Sequence, residues 1–373
     1  MSSAKIELIN QGTYGCVFHP GVACNGSTES TRYVTKIQRN ERTIANELSI
    51  SEKILKIPGY AKYFVPILKK CDVKIRKDNA DDLRKCRVFK HHTDEVVEKT
   101  SYVSMKIRYV GDLTLGKYIL RLPNEKMLSE MLNTHSYLLK GVQKMVEHGI
   151  VHNDIRSNNV MYDTTTKNSR PVFIDFGLAF SIDSMKDFQT NLHKIFYVFN
   201  VYGFWCIEVV MCNYIFDVVG QSNAKTEIVR IQDLEKIFDV FLHGIEPSLD
   251  ESRNPKIQND AFINNILIHP EKMYNFKRVY DQFTVKFIGK TWFETYEELI
   301  QYWNTWDSYA IAVVYLVILD TAYAEGTIHA SSLNSQIAKT YIELLEDIVY
   351  SSPDTRPSLE ETKRGMGRLI KER

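Results

Sequence analysis

His152-Asn153-Asp154-Ile155-Arg156-Ser157-Asn158-Asn159 is the stretch on which the reading of this chain turns. Sixteen residues past Asn159 comes Asp175-Phe176-Gly177. Taken singly, these are a turn Asp, a turn Asn and a strand-ending Asp-Phe-Gly. Taken together they match H-x-D-x-x-x-x-N followed by D-F-G. The chemistry behind that spacing is phosphoryl transfer, which asks for an aligned hydroxyl, an aligned γ-phosphate and cations to hold the spreading charge. Asp154 is the candidate to accept the hydroxyl proton. Asn159 and Asp175 are hard oxygen donors suited to Mg2+.

The segments upstream fit the same chemistry. Ile6 to Ile9 alternates with polar residues and reads as a strand. It enters Asn10-Gln11-Gly12-Thr13-Tyr14-Gly15-Cys16-Val17, and a second strand runs through Phe18. Gly12 and Gly15 let backbone N–H groups approach a phosphate. Asn10 stands where G-x-G-x-x-G has its first glycine, and Asn tolerates left-handed angles better than most residues. Tyr33-Val34-Thr35-Lys36-Ile37 matches the V-A-I-K strand, with Lys36 placed for the α- and β-phosphates. Ile44, Leu48, Ile54 and Leu55 recur at helical spacing between Glu41 and Ile57, and Pro58-Gly59 ends that helix. Glu47 is the first candidate to orient Lys36 through an ion pair, and Glu52 the second.

Downstream, Asn124 to His148 carries an apolar stripe (Met127, Met131, Leu132, Leu138, Leu139, Val142, Val146) that reads as core, with Gly149 as its cap. Val160-Met161-Tyr162 and Val172-Phe173-Ile174 read as a hairpin leading to Asp175. The pattern loosens after Gly177: no Ala-Pro-Glu follows, and Trp205-Cys206-Ile207-Glu208 is the nearest candidate. The aromatic and apolar run Ile195 to Met211 predicts a packed segment, not a free loop. Ser181, Ser184 and Thr190 are the obvious phosphorylatable positions before it. Trp306-Asp307-Ser308-Tyr309-Ala310 resembles D-x-W/Y-S-x-G, with Asp307 expected to hold the backbone of the His152 loop. Asp354-Thr355-Arg356-Pro357-Ser358 matches D-x-x-x-R-P-S, with Arg356 expected to pair with Glu208 as a brace.

With these motifs in order, the chain resembles the eukaryotic-type protein kinases over Ile6 to Ser181 and Trp306 to about Arg368. Tyr14-Gly15-Cys16-Val17-Phe18-His19-Pro20-Gly21, Tyr33-Val34-Thr35-Lys36-Ile37 and Asn46-Glu47-Leu48-Ser49-Ile50 look like the serine/threonine kinases of large DNA viruses. The resemblance implies an α+β, bilobal protein-kinase fold. A small antiparallel β-sheet lobe with one main helix (1–109) precedes a larger, mostly helical lobe (110–373) carrying an insertion at about 212–303. It implies ATP and Mg2+ in the cleft and a protein hydroxyl, of Ser or Thr, as acceptor. Asp154, Lys36, Arg156 and Glu47 would be the catalytic group. Val17 would pack on the adenine, Ile107 would stand beside it as gatekeeper, and Tyr109 and Val110, with Arg108, would offer it backbone hydrogen bonds. Asn153 replaces the Arg that usually meets an activation-loop phosphate, which predicts activity independent of loop phosphorylation. Arg156 stands where serine/threonine kinases carry Lys, and some tyrosine kinases carry Arg there. If the viral likeness holds, the protein acts in host cytoplasm or travels in the virion.

Composition limits the classes. Charged residues make up 25% and hydrophobic ones 44% of 373 residues, ordinary for a globular protein. A net charge of +1 sets up no field for nucleic acid or membrane. The N-terminus lacks the apolar core of a signal peptide, and the run Ala310 to Leu319 is too short to span a bilayer. Six scattered cysteines without C-x-x-C spacing predict reduced thiols and an intracellular, cytoplasmic location. Asn25-Gly26-Ser27 matches a glycosylation sequon but, without a secretory signal, reads as a turn. Lys69 to His92 holds nine Lys or Arg and four Asp, which reads as a solvated insertion. Cys71, Cys86, His91 and His92 within it fit no recurring zinc spacing. In the 212–303 insertion, Ile228 to Leu242 reads as an amphipathic helix and Asn254 to Asn265 as a loop. Oligomeric state is open.

Two other classes compete. A pseudokinase, binding nucleotide or partners without turnover, is favoured by Asn10, Asn153 and the missing Ala-Pro-Glu, and opposed by the presence of Lys36, Asp154, Asn159 and Asp175. A small-molecule kinase shares the Asp and Asn but lacks the Arg356-Pro357 brace.

Overall fold

The computed structural model describes residues 5–11, 15–25, 27–39, 42–73, 85–86, 102–186, 188, 192–200, 202–245 and 270–372. Contacts divide the chain into two compact units. One is Met1–Asp112 with Met161–Ala179; the other is Leu113–Val160 with Phe180–Arg373.

The first unit is built on an antiparallel sheet of β1 (Glu7–Gln11), β2 (Gly15–His19), β3 (Tyr33–Arg39), β4 (Ile67–Val73) and β5 (Tyr102–Arg108), in the order β1-β2-β3-β5-β4. β3 is central, and Val34, Thr35, Ile37 and Gln38 are all buried on it. A strand flanked on both edges and covered on both faces reads as a continuous run, without the alternation of a half-wet strand. Gly15 opens β2 where a Cβ would lie 2.6 Å from the Ile37 carbonyl oxygen, so only glycine allows β2 and β3 to close there. The β1–β2 register slips between Leu8 and Asn10, and the Asn10 side chain accepts the Gln11 N–H at 2.8 Å. Gly12 lies outside the described residues.

The helix expected from Glu41 is α1 (Arg42–Leu55). Ile44 and the half-buried Leu48 pack with Ile67, Val103 and Met105 of the sheet. Ser51 accepts the Ile67 N–H at 3.1 Å, tying helix to β4. Met161–Ala179 joins this unit through its backbone. Val65 N–H donates to the Phe173 carbonyl at 2.9 Å and Phe173 N–H to the Tyr63 carbonyl at 2.8 Å. The Arg108 guanidinium also meets the fully buried Asp163 at 2.6 Å. Burial would raise that carboxyl, but Arg108 and Thr165 outweigh it and hold its pKa low.

One expectation fails here. Cys16 is bonded to Cys86 and Cys24 to Cys71, so four of the cysteines are paired and not reduced. Spacing along the chain did not show this, because the pairs are made by strands and loops adjacent only in the fold. Cys16 and Cys86 are wholly buried with Ile6, Phe18, Val22 and Tyr102. His91 and His92 lie outside the described residues.

The second unit is mostly helical. Its helices are α2 (Leu115–Leu120), α3 (Asn124–Glu147), α4 (Ile182–Lys186), α5 (Ile207–Tyr214), α6 (Ile231–Ile245), α7 (Pro270–Thr284), α8 (Trp292–Leu299), α9 (Trp306–Ala324), α10 (Ala330–Leu333), α11 (Gln336–Tyr350) and α12 (Leu359–Glu372). α9 is its centre and is buried on nearly every side. The stretch Trp292–Ala324 is long and apolar enough to cross a membrane, but 78% of its most apolar window is buried inside the fold, as in a core helix. α3 meets α9 and α11 through a stacked pair, His135 on Tyr315 at 4.6 Å, with His135 also bonded to the Tyr341 hydroxyl at 3.0 Å.

The helix expected from Ile228 begins three residues later. Ile228 is instead bridged to Thr291, and Val229 exchanges backbone bonds with Lys290 and Gly289 at 2.9 and 3.0 Å. Rings then seat the inserted segment on its own unit: Phe238 against Tyr280 at 4.6 Å, and Phe276 against Tyr350 of α11 at 5.8 Å. Asn254 to Asn265 lies outside the described residues.

Candidate active site

In the first unit, Lys36 projects from β3 toward two carboxylates. Its Nζ lies 3.1 Å from Glu47 Oε2 and 3.1 Å from Asp175 Oδ1. Glu47 reaches it from the buried face of α1, whereas Glu52 is exposed on the same helix. Burial pulls the lysine pKa down, but Asp175 and Glu47 more than reverse this and hold it above the usual lysine value. Burial pushes the Glu47 carboxyl up and the charge of Asp175 adds to that, while Lys36 pulls the other way. Asn46, beside Glu47, donates to the Ala179 carbonyl at 2.8 Å and so ties α1 to the segment after Gly177. Asp175 has φ +59, a left-handed backbone in a non-glycine residue. Such a conformation persists where surrounding contacts over-determine it.

Val17 is half-buried and sits directly across from Lys36 in the sheet. Ile107 is half-buried on β5 and touches the clusters on both sides of it. Tyr109 N–H donates to the Arg32 carbonyl at 2.9 Å, and its ring stacks on His19 at 3.8 Å. The Val110 carbonyl accepts Thr164 N–H at 3.3 Å. Two of the backbone groups offered to a purine edge by the sequence reading are therefore engaged inside the unit.

In the second unit, the His152–Asn159 loop is pinned from below by Asp307 at the start of α9. The His152 N–H donates to Asp307 Oδ2 at 2.8 Å and the Asn153 N–H to Oδ1 at 3.1 Å. Burial raises the Asp307 carboxyl, and His152 and these N–H groups oppose that. Asn153 has φ +60, an angle at which Asn costs less than most side chains, including Arg. Its carbonyl accepts the Trp205 indole N–H at 2.8 Å.

The Asp154 carboxylate is ringed by donors. Asn159 Nδ2 donates to its Oδ2 at 2.7 Å and to its carbonyl at 2.9 Å. With both amide hydrogens spent on Asp154, Asn159 keeps Oδ1 as a hard oxygen donor, which fits a Mg2+ ligand. Arg156 Nε lies 3.6 Å from Asp154 Oδ1, and the Tyr202 hydroxyl donates to the same oxygen. Sequence reasoning missed Tyr202. The only signal was the aromatic density of the Ile195–Met211 run, which foretold packing but not its target. Farther along, Arg356 and Glu208 form a buried pair at 2.7 Å. Ser181 is buried, Ser184 is exposed, and Thr190 lies outside the described residues.

No family model matches the chain. Over 160 residues it is 30% identical to the protein named "Probable serine/threonine-protein kinase fnkB" of Dictyostelium discoideum, a match that takes in 41% of this chain and 27% of that one. The chain thus spans about a quarter of the length of the relative it matches. The similarity is to a protein kinase, and an N-terminal antiparallel sheet followed by a helical region is compatible with that fold.

Proposed function

We propose that the chain is an ATP- and Mg2+-dependent protein kinase that transfers the γ-phosphate to a protein hydroxyl. The observation that carries this is the position of Lys36, 3.1 Å from each of Glu47 and Asp175. A lysine on the wet face of a strand would need neither carboxylate. One drawn from α1 and one from Asp175-Phe176-Gly177 orient a fixed ammonium toward polyphosphate. When bound, Mg2+ neutralises the charge that develops on the phosphoryl oxygens. Asp175 in the first unit and Asn159 in the second would each offer it a hard oxygen ligand. Asp154 accepts the acceptor's proton, Asn159 fixes that carboxylate, and Asp307 fixes the loop beneath it. The resemblance to a serine/threonine kinase supports Ser or Thr as acceptor.

The pseudokinase reading has one observation in its favour, the Tyr202 hydroxyl seated on Asp154. Purified chain, Mg-ATP and a mixture of generic acidic and basic proteins would separate the two. Transfer by the native chain, lost at least a hundredfold in Asp154→Asn, supports the kinase. Mg-dependent ATP binding with no transfer to any acceptor supports the pseudokinase.

A further inference from the structure

We propose that Trp205 is a positioning residue for the transfer step, its indole N–H holding the Asn153 carbonyl and with it the backbone from which Asp154 projects. The proposal rests on the kinase reading and deepens it: a neutral hydrogen bond stands in for the phosphate that an Arg at position 153 would meet.

Asp154 can take a proton only where its backbone puts it, and that backbone passes through Asn153 at φ +60. A left-handed turn at a non-glycine residue persists while its neighbours over-determine it. Contacts on both sides of Asn153 do so. Asp307 accepts the His152 N–H at 2.8 Å and the Asn153 N–H at 3.1 Å, which fixes the chain before it. The peptide after it, joining Asn153 to Asp154, is held at both ends. Its carbonyl accepts the Trp205 indole N–H at 2.8 Å, and its own N–H donates to His152 Nδ1 at 3.4 Å. The second bond is long and comes from within the turn itself. Trp205 therefore fixes this peptide from outside. The Asn153 side chain does not share the task through Oδ1, which is buried and unbonded among the described residues.

An indole N–H that finds a carbonyl could be a satisfied polar group and nothing more. The way Trp205 is itself fixed argues for a larger role. Its backbone N–H donates to the Tyr202 carbonyl at 3.1 Å, closing a turn, and the Tyr202 ring lies 4.7 Å away. The next residue, Cys206, stands at the N-cap of α5, and Glu208 in the first turn of α5 is clamped to Arg356 at 2.7 Å. A helix start anchored by a buried ion pair thus delivers one donor to the residue before the base. Nothing in this line of contacts requires a phosphate.

Without the indole donor, the Asn153–Asp154 peptide is free to rotate about the bonds that flank it, and Asp154 moves with it. A displacement of about 1 Å in a group that must meet a reacting hydroxyl can cost on the order of a hundredfold in rate. On the kinase reading ATP is held by Lys36 and the sheet unit, so the loss falls on turnover and not on the KM for ATP. Packing can be separated from hydrogen bonding here, because the ring can be kept while its N–H is removed.

The test uses the full chain, phosphatase-treated and then freed of phosphatase, with Mg2+, ATP and whichever protein of the generic mixture accepts phosphate best. In one variant Trp205 is replaced by benzothienylalanine, whose sulfur takes the place of the indole N–H in a ring of nearly the same size. The second variant is Trp205→Phe. The expected result is a kcat at least tenfold lower in both, with the KM for ATP within twofold of native and the melting temperature unchanged in the isosteric variant. In the native chain, phosphatase treatment should leave kcat undiminished. Exchange of its Trp205 indole N–H should be slowed at least tenfold relative to free tryptophan, a readout independent of turnover. A native kcat in the isosteric variant overturns the proposal and leaves the kinase reading standing. So does loss of native activity on phosphatase treatment, or an indole N–H that exchanges freely. No transfer by the native chain to any acceptor overturns both.

Discussion

Arg356 and Glu208 face each other as two parallel hydrogen bonds, 2.7 and 2.9 Å, with both side chains almost wholly removed from water. Thr305 accepts a third bond from the same guanidinium at 3.0 Å, and the Tyr309 ring lies 5.1 Å beneath it. Removing one charge from such a pair leaves the other buried and uncompensated, which costs about 3–5 kcal/mol. Arg356→Met or Glu208→Gln should lower the urea midpoint accordingly. The double replacement by Met and Leu should recover most of the loss. A double variant as unstable as the singles would show that the pair itself, not the orphaned charge, carries the energy.

Glu47→Gln leaves Lys36 with Asp175 as its charged partner. The ammonium is then drawn toward the carboxylate proposed above as a metal ligand. We expect the kcat/KM for ATP to fall at least tenfold, equivalent to about 1.4 kcal/mol, with little change in melting temperature. Steady-state kinetics at varied ATP would show it. An unchanged kcat/KM would mean that Glu47 only fills space under the sheet.

Asp320 lies buried in α9 with neither carboxylate oxygen hydrogen-bonded among the described residues, and burial pushes its pKa up to about 8. A carboxyl raised in the folded state holds its proton there longer than in the unfolded chain. Its contribution to stability is therefore whole at low pH, declines above the ordinary value of 3.8, and is lost as pH rises through about 8. The difference in unfolding free energy between Asp320→Asn and the native chain should grow in favour of the variant from pH 5 to pH 9, by up to about 4 kcal/mol. A flat difference curve would show that water or a rearranged side chain reaches this carboxylate.

The Cys24–Cys71 and Cys16–Cys86 bonds span 47 and 70 residues of the first unit. Closing loops of that size typically stabilises a fold by roughly 2–5 kcal/mol. Dithiothreitol, or the paired substitution of Cys24 and Cys71 by serine, should bring unfolding of the sheet to lower denaturant while the helical unit is spared. Site-resolved hydrogen exchange would report the two separately. Equal loss in both units would contradict this.

Several of these contacts could be read from the sequence because a motif fixes their register. Lys36 was legible from its match to the V-A-I-K strand, and Glu47 was the first of two acidic candidates, with Glu52, on the helix that follows. Asp307 reaches the His152 loop because it opens a helix whose burial was evident from Ala310 to Leu319. Arg356 and Glu208 were pairable because each sits in a recognisable phrase. What could not be read has a common cause. Tyr202 lies where no motif sets the register, and its meeting with Asp154 depends on how the aromatic segment folds back. The cysteine pairs depend on strand order, β1-β2-β3-β5-β4, which one-dimensional spacing does not contain. The start of α6 moved because Ile228 and Val229 found backbone partners at Thr291, Lys290 and Gly289 that no local propensity announces.

The nested arrangement of the two cross-links also has a mechanical meaning. Cys24 and Cys71 lie inside the span closed by Cys16 and Cys86. A pull on the ends of the sheet unit passes through the outer sulfur bridge and bypasses everything between. At about 3.3–3.6 Å per residue, the 70-residue separation hides roughly 230–250 Å of slack in the oxidised chain. In an optical trap the unit should therefore lengthen in two sizes, a short one when oxidised and a longer one when reduced. The glycine-rich turn lies outside the bridged span and should stretch in both.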